Sequence, residues 1–496
     1  MKLLSTMLVL MLAAIPICAQ DDAPADPGRA AFDAGVQAYN AESFTEAKAK
    51  FTEALEAYPD NPTVLTWLGT TCYELKAWDE AIEHLTAATE ADPDYDVALN
   101  NLGNAYLEKG TPLLEPDRQG AIALLNQAVA AYERAIEINP KYFFPVYNLA
   151  ITHSRLRDWD KAFNRFHDAI ALKPDDPDVH KSFGRALKDA DEHEKAAPRY
   201  EEAARLNPSC SDCFVQLGWL RSKLAQWGEA EVAYAAAIRI DSGIFDAHLG
   251  HGIALYSQGK HEPARDALQR ATTLRDDSFE AWYNLGLSAD ALGDLPLAET
   301  AYSTASPLND ADPACLNNLG VVIYKQDRPC DAIEHFRAAM AADDSYVKAF
   351  INLGLALEGC GEDETEALEH WRATVEKFPR EASAHCGLAN ALYRKGEVNQ
   401  ALPEYLQCLQ YDTNNVEAHN NVGLIYMERD QLDEALAHFR QGLAQDANYV
   451  PALNNLGVLY EKQGKIEEAK AQYKKAIEVD PNYEKAKENL RRLEDN

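Results

Sequence analysis

Alanine returns along this chain at a nearly fixed stride. Counting back from Ala469 in steps of 34 gives Ala435, Ala401 and Ala367. One step of 35 then gives Ala332, and steps of 34 lead through Ala298, Ala264, Ala230, Ala196 and Ala162 to Ala128. A step of 47 reaches Ala81, and 34 more reaches Ala47. Self-similarity at a period of this size marks a repeat architecture. Each repeat is one small structural unit whose apolar face stays exposed until a neighbour stacks on it.

Each recurring Ala belongs to a larger code. Four residues on stands a large side chain: Phe51, Leu85, Tyr132, Phe166, Tyr200, Tyr234, Leu268, Tyr302, Phe336, Trp371, Tyr405, Phe439 or Tyr473. About twelve residues before stands Gly or Ala, from Gly35 and Gly69 through Ala150 and Ala389 to Gly457. In the last copy, Val450–Tyr483, Leu453, Leu456, Gly457 and Tyr460 share one face of a first helix. Ala469, Tyr473 and Ala476 share one face of a second. Gly464 marks the turn between them, and Pro481 stops the second helix. The small residues let the two helices approach closely, and the large one fills the space beside them. Thirteen such units begin at 28, 62, 96, 143, 177, 211, 245, 279, 313, 347, 382, 416 and 450.

The period and the small–small–large code resemble the tetratricopeptide repeat across residues 28–483. The resemblance implies an all-α fold: a right-handed superhelical α-solenoid of about thirteen helix-turn-helix units. Glu484–Asn496 is expected to add a C-terminal capping helix, with Ala486, Leu490 and Leu493 on its one apolar face. A solenoid grows by stacking, so the length of 496 residues does not call for several globular domains.

Two departures break the regularity. Unit three carries 13 extra residues around Thr111–Ala123, where Pro112, Pro116 and Gly120 signal a loop before an early second helix. This segment is either a tolerated surface insertion or a protruding binding element. Unit ten has one extra residue near Gly359–Glu364.

Residues 1–19 combine Lys2, an apolar run from Leu3 to Ile17 and a closing Ala19. This predicts a secretory signal peptide cleaved after Ala19, and so a periplasmic or extracellular protein. An uncleaved anchor is the alternative. Lipidation at Cys18 would want a small residue where Ile17 stands. Residues 20–27, acidic with two Pro, read as a flexible linker. No later stretch is apolar enough to span a bilayer, so no stable membrane insertion is expected. The net charge of −33 argues against nucleic acid and anionic membranes as partners, and favours basic or neutral proteins.

Export would place the remaining cysteines where disulfides persist. Cys210 and Cys213 form a C-x2-C at the junction of units five and six. A haem link would need His where Phe214 stands, and a redox dithiol would need a βαβ setting that this chain lacks. A local disulfide, or two plain core residues, are the remaining structural readings; a redox or metal role at this pair is a third functional alternative. His180 and His193 are the nearest partners for a zinc site there. Cys330 and Cys360 lie near the helix turns of adjacent units and could pair; Cys72 falls in a buried register. His248 and His251 at i, i+3 are expected to face solvent rather than a metal. No nucleophile–base pair, phosphate loop or metal-spaced histidine cluster stands out, and the repeats leave no room for a catalytic domain. A non-enzymatic chain without a cofactor is expected.

Function therefore has to come from surface. In each first helix, positions 4, 7, 8 and 11 pack inward, and positions 2, 5, 6, 9, 12 and 13 form a separate stripe. The resemblance implies that this stripe lines the concave side and holds peptides. Position 6 is Asn101, Asn148, Asn284, Asn318, Asn352, Asn421 and Asn455. An amide both donates and accepts, so a ladder of them can grip an extended peptide backbone of any sequence. The ladder is similar to the one in the repeat arm of O-linked N-acetylglucosamine transferase. Equally, Asn is simply common at this register. Ser182, Gln216 and Gly250 interrupt the series in units five to seven, which leaves units eight to ten as the best track. The pattern with which chaperone-binding members capture a carboxylate is not met by Lys181, Arg185, Gln216, Asp246 and Gly250. The reading is a protein-binding scaffold; the alternative is an envelope-complex component that docks through its convex face or through 111–123.

Overall fold

The computed structural model describes residues 26–494 apart from 310, 362 and 363. The leader at 1–19 and most of the linker at 20–27 lie outside the described residues. All regular structure among the described residues is helical. Thirteen antiparallel helix pairs run from Pro27–Asn40 with Phe44–Ala57 to Val450–Lys462 with Ile466–Val479, and Glu484–Glu494 follows as a last, unpaired helix. No helix among the described residues is long and apolar enough to cross a membrane.

The packing code acts as its residue sizes demand. All thirteen of the recurring Ala residues are buried, and so are the large residues four positions on. A Cβ placed on Gly457 would lie 2.5 Å from Tyr473 Cε1, and one on Gly354 would lie 2.4 Å from Trp371 Cζ2. The first helix of most units thus carries glycine where the large side chain of the second helix is pressed against its backbone, with Ala150 and Ala389 in units four and eleven. Leu490 and Leu493 of the last helix pack on Leu453, Tyr473 and Ala476, covering the apolar face that unit thirteen would otherwise expose.

The turn between paired helices holds one residue in the left-handed region. Glycine takes this place at Gly259, Gly293, Gly361, Gly396 and Gly464, but Glu42, Lys76, Arg157, Asp191, Ala225, Asp327 and Asp430 take it elsewhere. The backbone amides flanking this residue reach back to the last carbonyls of the first helix, for example Gly464 N to Glu461 O and Lys465 N to Tyr460 O. Closure of the turn therefore fixes the conformation, whichever residue has to adopt it.

Unit three lacks this turn. Its first helix, Asp96–Gly110, runs into a 3₁₀ turn at Thr111–Leu113, and the second helix, Arg118–Ile138, is 21 residues long where most second helices have 14. Asp117 caps it by accepting from Gly120 N at 3.0 Å. Much of the 111–123 segment is thus folded into a longer helix, with Ile122 exposed on it.

By its contacts the chain divides into two compact bodies, Met1–Ala254 and Leu255–Asn496, with the divide inside helix Phe245–Ser257. Each is a run of stacked helix pairs that buries a series of hydrophobic clusters, such as Phe143 to Ala233 in the first and Ala289 to Ala367 in the second.

Candidate functional site: the first-helix stripe

Most of the position-6 amides turn to the preceding unit before they turn to solvent. In the C-terminal body they form a directed chain. Asn489 Nδ2 donates to Asn454 Oδ1 at 3.0 Å, and Asn454 Nδ2 donates to Asn455 Oδ1 at 3.3 Å. Asn455 Nδ2 donates to Asn420 Oδ1 at 2.8 Å, and Asn420 Nδ2 to Asn421 Oδ1 at 3.1 Å. Asn421 Nδ2 ends the chain on Tyr405 Oη at 3.1 Å, and that hydroxyl donates to Asn390 Oδ1 at 2.6 Å. The same link joins Asn352 Nδ2 to Asn317 Oδ1 at 2.8 Å. In the N-terminal body Asn101 Nδ2 donates to Thr70 Oγ1 at 3.0 Å, and Asn148 Nδ2 to Asn104 Oδ1 at 2.9 Å. Asn100 Nδ2 donates to Asn101 Oδ1, but Asn100 Oδ1 is buried with no partner.

The position-6 residue is thus one half of a pair: its partner is position 5 of the preceding unit for Asn352, Asn455 and Asn489, and position 9 for Asn101 and Asn148. The signal in the sequence is the Asn-Asn dipeptide, at Asn100-Asn101, Asn317-Asn318, Asn420-Asn421 and Asn454-Asn455. A link between buried amides helps set the register of one unit on the next, since an unmade bond there leaves a desolvated donor or acceptor. Each linked amide keeps a second N–H and a second lone pair. Asn284 and Asn318 lack a short link to the preceding unit: Asn284 Nδ2 donates to its own helix at Glu280 O, and Asn318 lies 3.5 Å from Tyr283 Oη and from Asn317 Nδ2.

The interruptions of the series have physical causes. A Cβ on Gly250 would lie 2.2 Å from Tyr234 Cζ, and one on Gly387 would lie 2.6 Å from Trp371 Cε2. At both places the ring from the preceding unit fills the space where an amide would stand. Ser182 is small and meets Tyr147 Oη at 2.6 Å.

Units five and six present a different stripe. Lys181 pairs with Asp212 at 2.8 Å, and Lys188 Nζ donates to Gln216 Oε1 at 2.6 Å. Trp219, 37% exposed, has Lys188 Nζ 5.4 Å and Lys223 Nζ 5.3 Å from its ring, with His193 edge-on at 5.3 Å. Arg185 is exposed beside them. In the C-terminal body the same stripe exposes Tyr324 and Leu355, 39% and 44%.

The structure joins Cys210 to Cys213, Cys330 to Cys360 and Cys386 to Cys408, and leaves Cys72 and Cys315 as buried thiols. Cys210 ends the loop before helix Ser211–Lys223, where its Sγ accepts from Cys213 N. The Cys386–Cys408 bond ties the two helices of unit eleven, whose period gives no hint of it. His180 and His193 do not act together: His180 Nε2 meets Pro174 O at 2.9 Å, while His193 lies on Trp219.

One expectation is overturned. His248 does not face solvent; it is buried at 8% exposure, and its Nε2 meets Ser242 O at 3.1 Å. A ring N–H on position 4 of a first helix recurrently meets the carbonyl six residues back, as in His385 to Pro379, His419 to Thr413 and Trp282 to Asp276. A carbonyl only accepts, so these histidines carry hydrogen on Nε2. The contact closes the turn that joins one unit to the next.

The family models that match are all of one kind. Models described as tetratricopeptide repeat match residues 32–96, 131–164, 215–279, 249–314, 283–347 and 450–483, and one described as TPR repeat matches 389–429 and 423–464. The chain is a tetratricopeptide repeat protein. Among curated proteins it is similar to the anaphase-promoting complex subunit CDC16 of Saccharomyces cerevisiae, 23% identical over 179 residues. That match covers 35% of this chain and spans only 21% of the relative's length. Among solved structures it is similar to YrrB, described as a TPR protein with an unusual peptide-binding site, at 22% identity and a TM-score of 0.35. That likeness covers 37% of this chain and 95% of YrrB. The Cut9–Hcn1 hetero-tetramer of the APC/C matches over 95% of this chain and 96% of the solved one, at 15% identity and a TM-score of 0.41. The repeat scaffold of this family serves protein–protein interaction.

Proposed function

We propose that this protein is a non-enzymatic scaffold that holds extended segments of partner proteins along its first-helix stripe, on the concave side of the repeat array. The observation that carries the reading is what the stripe still offers once packing and the amide links are satisfied. Trp219, Tyr324 and Leu355 stay exposed, Asn284 Nδ2 is spent on a bond within its own helix, and Asn318 meets Tyr283 and Asn317 at 3.5 Å each. Exposed large side chains beside amide groups suit a peptide backbone laid along them. The leader pattern at residues 1–19 and the three joined cysteine pairs support an exported protein, periplasmic or extracellular. A second reading, docking of an envelope complex through the 111–123 segment, is favoured by Ile122 alone, exposed on the lengthened helix.

The test is an array of unstructured peptides drawn from exported proteins, probed with the mature chain, with the variant N284A/N318A/N352A and with W219A. Helicity is followed by circular dichroism. Loss of peptide binding in either variant at unchanged helicity supports the stripe. Unchanged binding in both removes it, and an Ile122→Glu variant then tests the 111–123 segment.

A further inference from the structure

We propose that unit two carries a site for a single zinc-class divalent cation, built by Cys72, Glu80 and His84. The three residues offer a sulfur, a carboxylate oxygen and an imidazole nitrogen, and these atoms all lie within 4.8 Å of one another. Glu80 and His84 stand four residues apart on helix Trp78–Ala91, so they share a face. Cys72 comes from the first helix of the same unit, Pro62–Glu74. Such a triad leaves the fourth tetrahedral position to water, the donor set and open position typical of zinc held by three protein ligands.

The surroundings suit a cation. Lys48 of unit one pairs with Glu80 and acts on the Cys72 thiol, so an ammonium already supplies positive charge at this place. Lys48 is partly exposed and can swing to solvent. Burial holds the His84 ring below the ordinary histidine range, which keeps it neutral and able to donate a lone pair. Among the described residues, neither ring nitrogen of His84 has a hydrogen-bond partner. Burial pushes the Cys72 thiol up to about 11, with Glu80 and Glu83 adding to the effect and Lys48 opposing it. The charges balance: Cys72 releases its proton to solvent, and the resulting thiolate with the Glu80 carboxylate neutralises a 2+ ion. The Lys48 ammonium leaves Glu80 as the ion enters. Metal binding is therefore coupled to proton release and is weaker at low pH.

The probe is Co²⁺ alone, then Zn²⁺ in competition, on the purified chain with its disulfides intact. A cobalt–thiolate bond gives a near-ultraviolet charge-transfer band that carboxylates and histidines alone do not give. The expected result is one such band per chain, displaced by Zn²⁺, absent in C72S and unchanged in C315S. H84A weakens binding by about tenfold or more, given that even outer-shell losses cost that much. K48A strengthens binding, because the competing ammonium is gone. Absence of the band in the wild-type chain overturns the proposal. So does a band that survives C72S or disappears in C315S. Cobalt bound without a band reports only the acidic surface. Circular dichroism of each variant separates loss of ligand from loss of fold.

Discussion

The stripe of units twelve and thirteen and the stripe of units five and six have the same position in their repeats but opposite uses of polarity. In the first, Asn420, Asn421, Asn454, Asn455 and Asn489 close a one-directional amide chain that joins unit to unit. In the second, position 6 is Ser182 and Gln216, no Asn-Asn pair exists, and the polar groups are long charged chains around Trp219. Short amides at close range serve register. Long, flexible cations beside an exposed indole leave the surface free for another molecule. One stripe position therefore does two jobs, and its occupant tells which.

The largest expected effect breaks the first half of this comparison. Asn454→Ala strands Asn489 Nδ2 and removes the donor to Asn455 Oδ1. It is expected to cost about 2–3 kcal/mol, read as a lower urea midpoint and faster amide exchange in Glu484–Glu494. In contrast, Trp219→Ala is expected to change stability by less than about 1 kcal/mol, while carrying the binding loss described above. A tryptophan variant that unfolds its repeat would erase the distinction.

A third expectation concerns a further link within the C-terminal body. His419 Nε2 faces Thr413 O, so its bare Nδ1 accepts from His438 Nδ1 at 3.1 Å. Burial, with a smaller contribution from His419, brings His438 down from 6.5 to about 4. The fold thus resists a proton that the unfolded chain takes up readily. This contribution to stability is complete above about pH 6.5 and declines as the pH falls towards 4. Chemical denaturation at pH 7 and pH 4.5 should show the loss, and His438→Asn should reduce the slope.

The smallest effect belongs to the turns. Ala225 holds φ of 55° where five other units have glycine. Ala225→Gly is expected to stabilise the N-terminal body by about 0.5–1 kcal/mol by relieving that strain. Gly464→Ala should cost a similar amount in the C-terminal body.

The repeat and its packing were legible in the residues because they depend on size at short range. Gly457, Ala469 and Tyr473 lie within one unit, and helical periodicity alone places them together. The amide ladder was legible only as a row of like residues. Nothing within one unit shows that Asn455 meets Asn420 rather than solvent, since that depends on the rise and rotation between neighbours 35 residues apart. The same limit explains His248: an i, i+3 pair on a helix looks exposed until the preceding turn brings Ser242 O over its ring.

What the sequence by itself determined is the all-helical, thirteen-fold, antiparallel-pair architecture and its closing helix, because steric fit repeated every 34 residues admits few other solutions. Only the tertiary structure decided which polar groups are already satisfied and which remain open. It placed the Asn amides against the preceding unit, left Trp219 beside its lysines, joined Cys386 to Cys408, and gathered Cys72, Glu80 and His84 at one point. Hydrogen bonds and ligand sets depend on the angle and distance between groups on different helices, and a linear pattern does not contain those quantities.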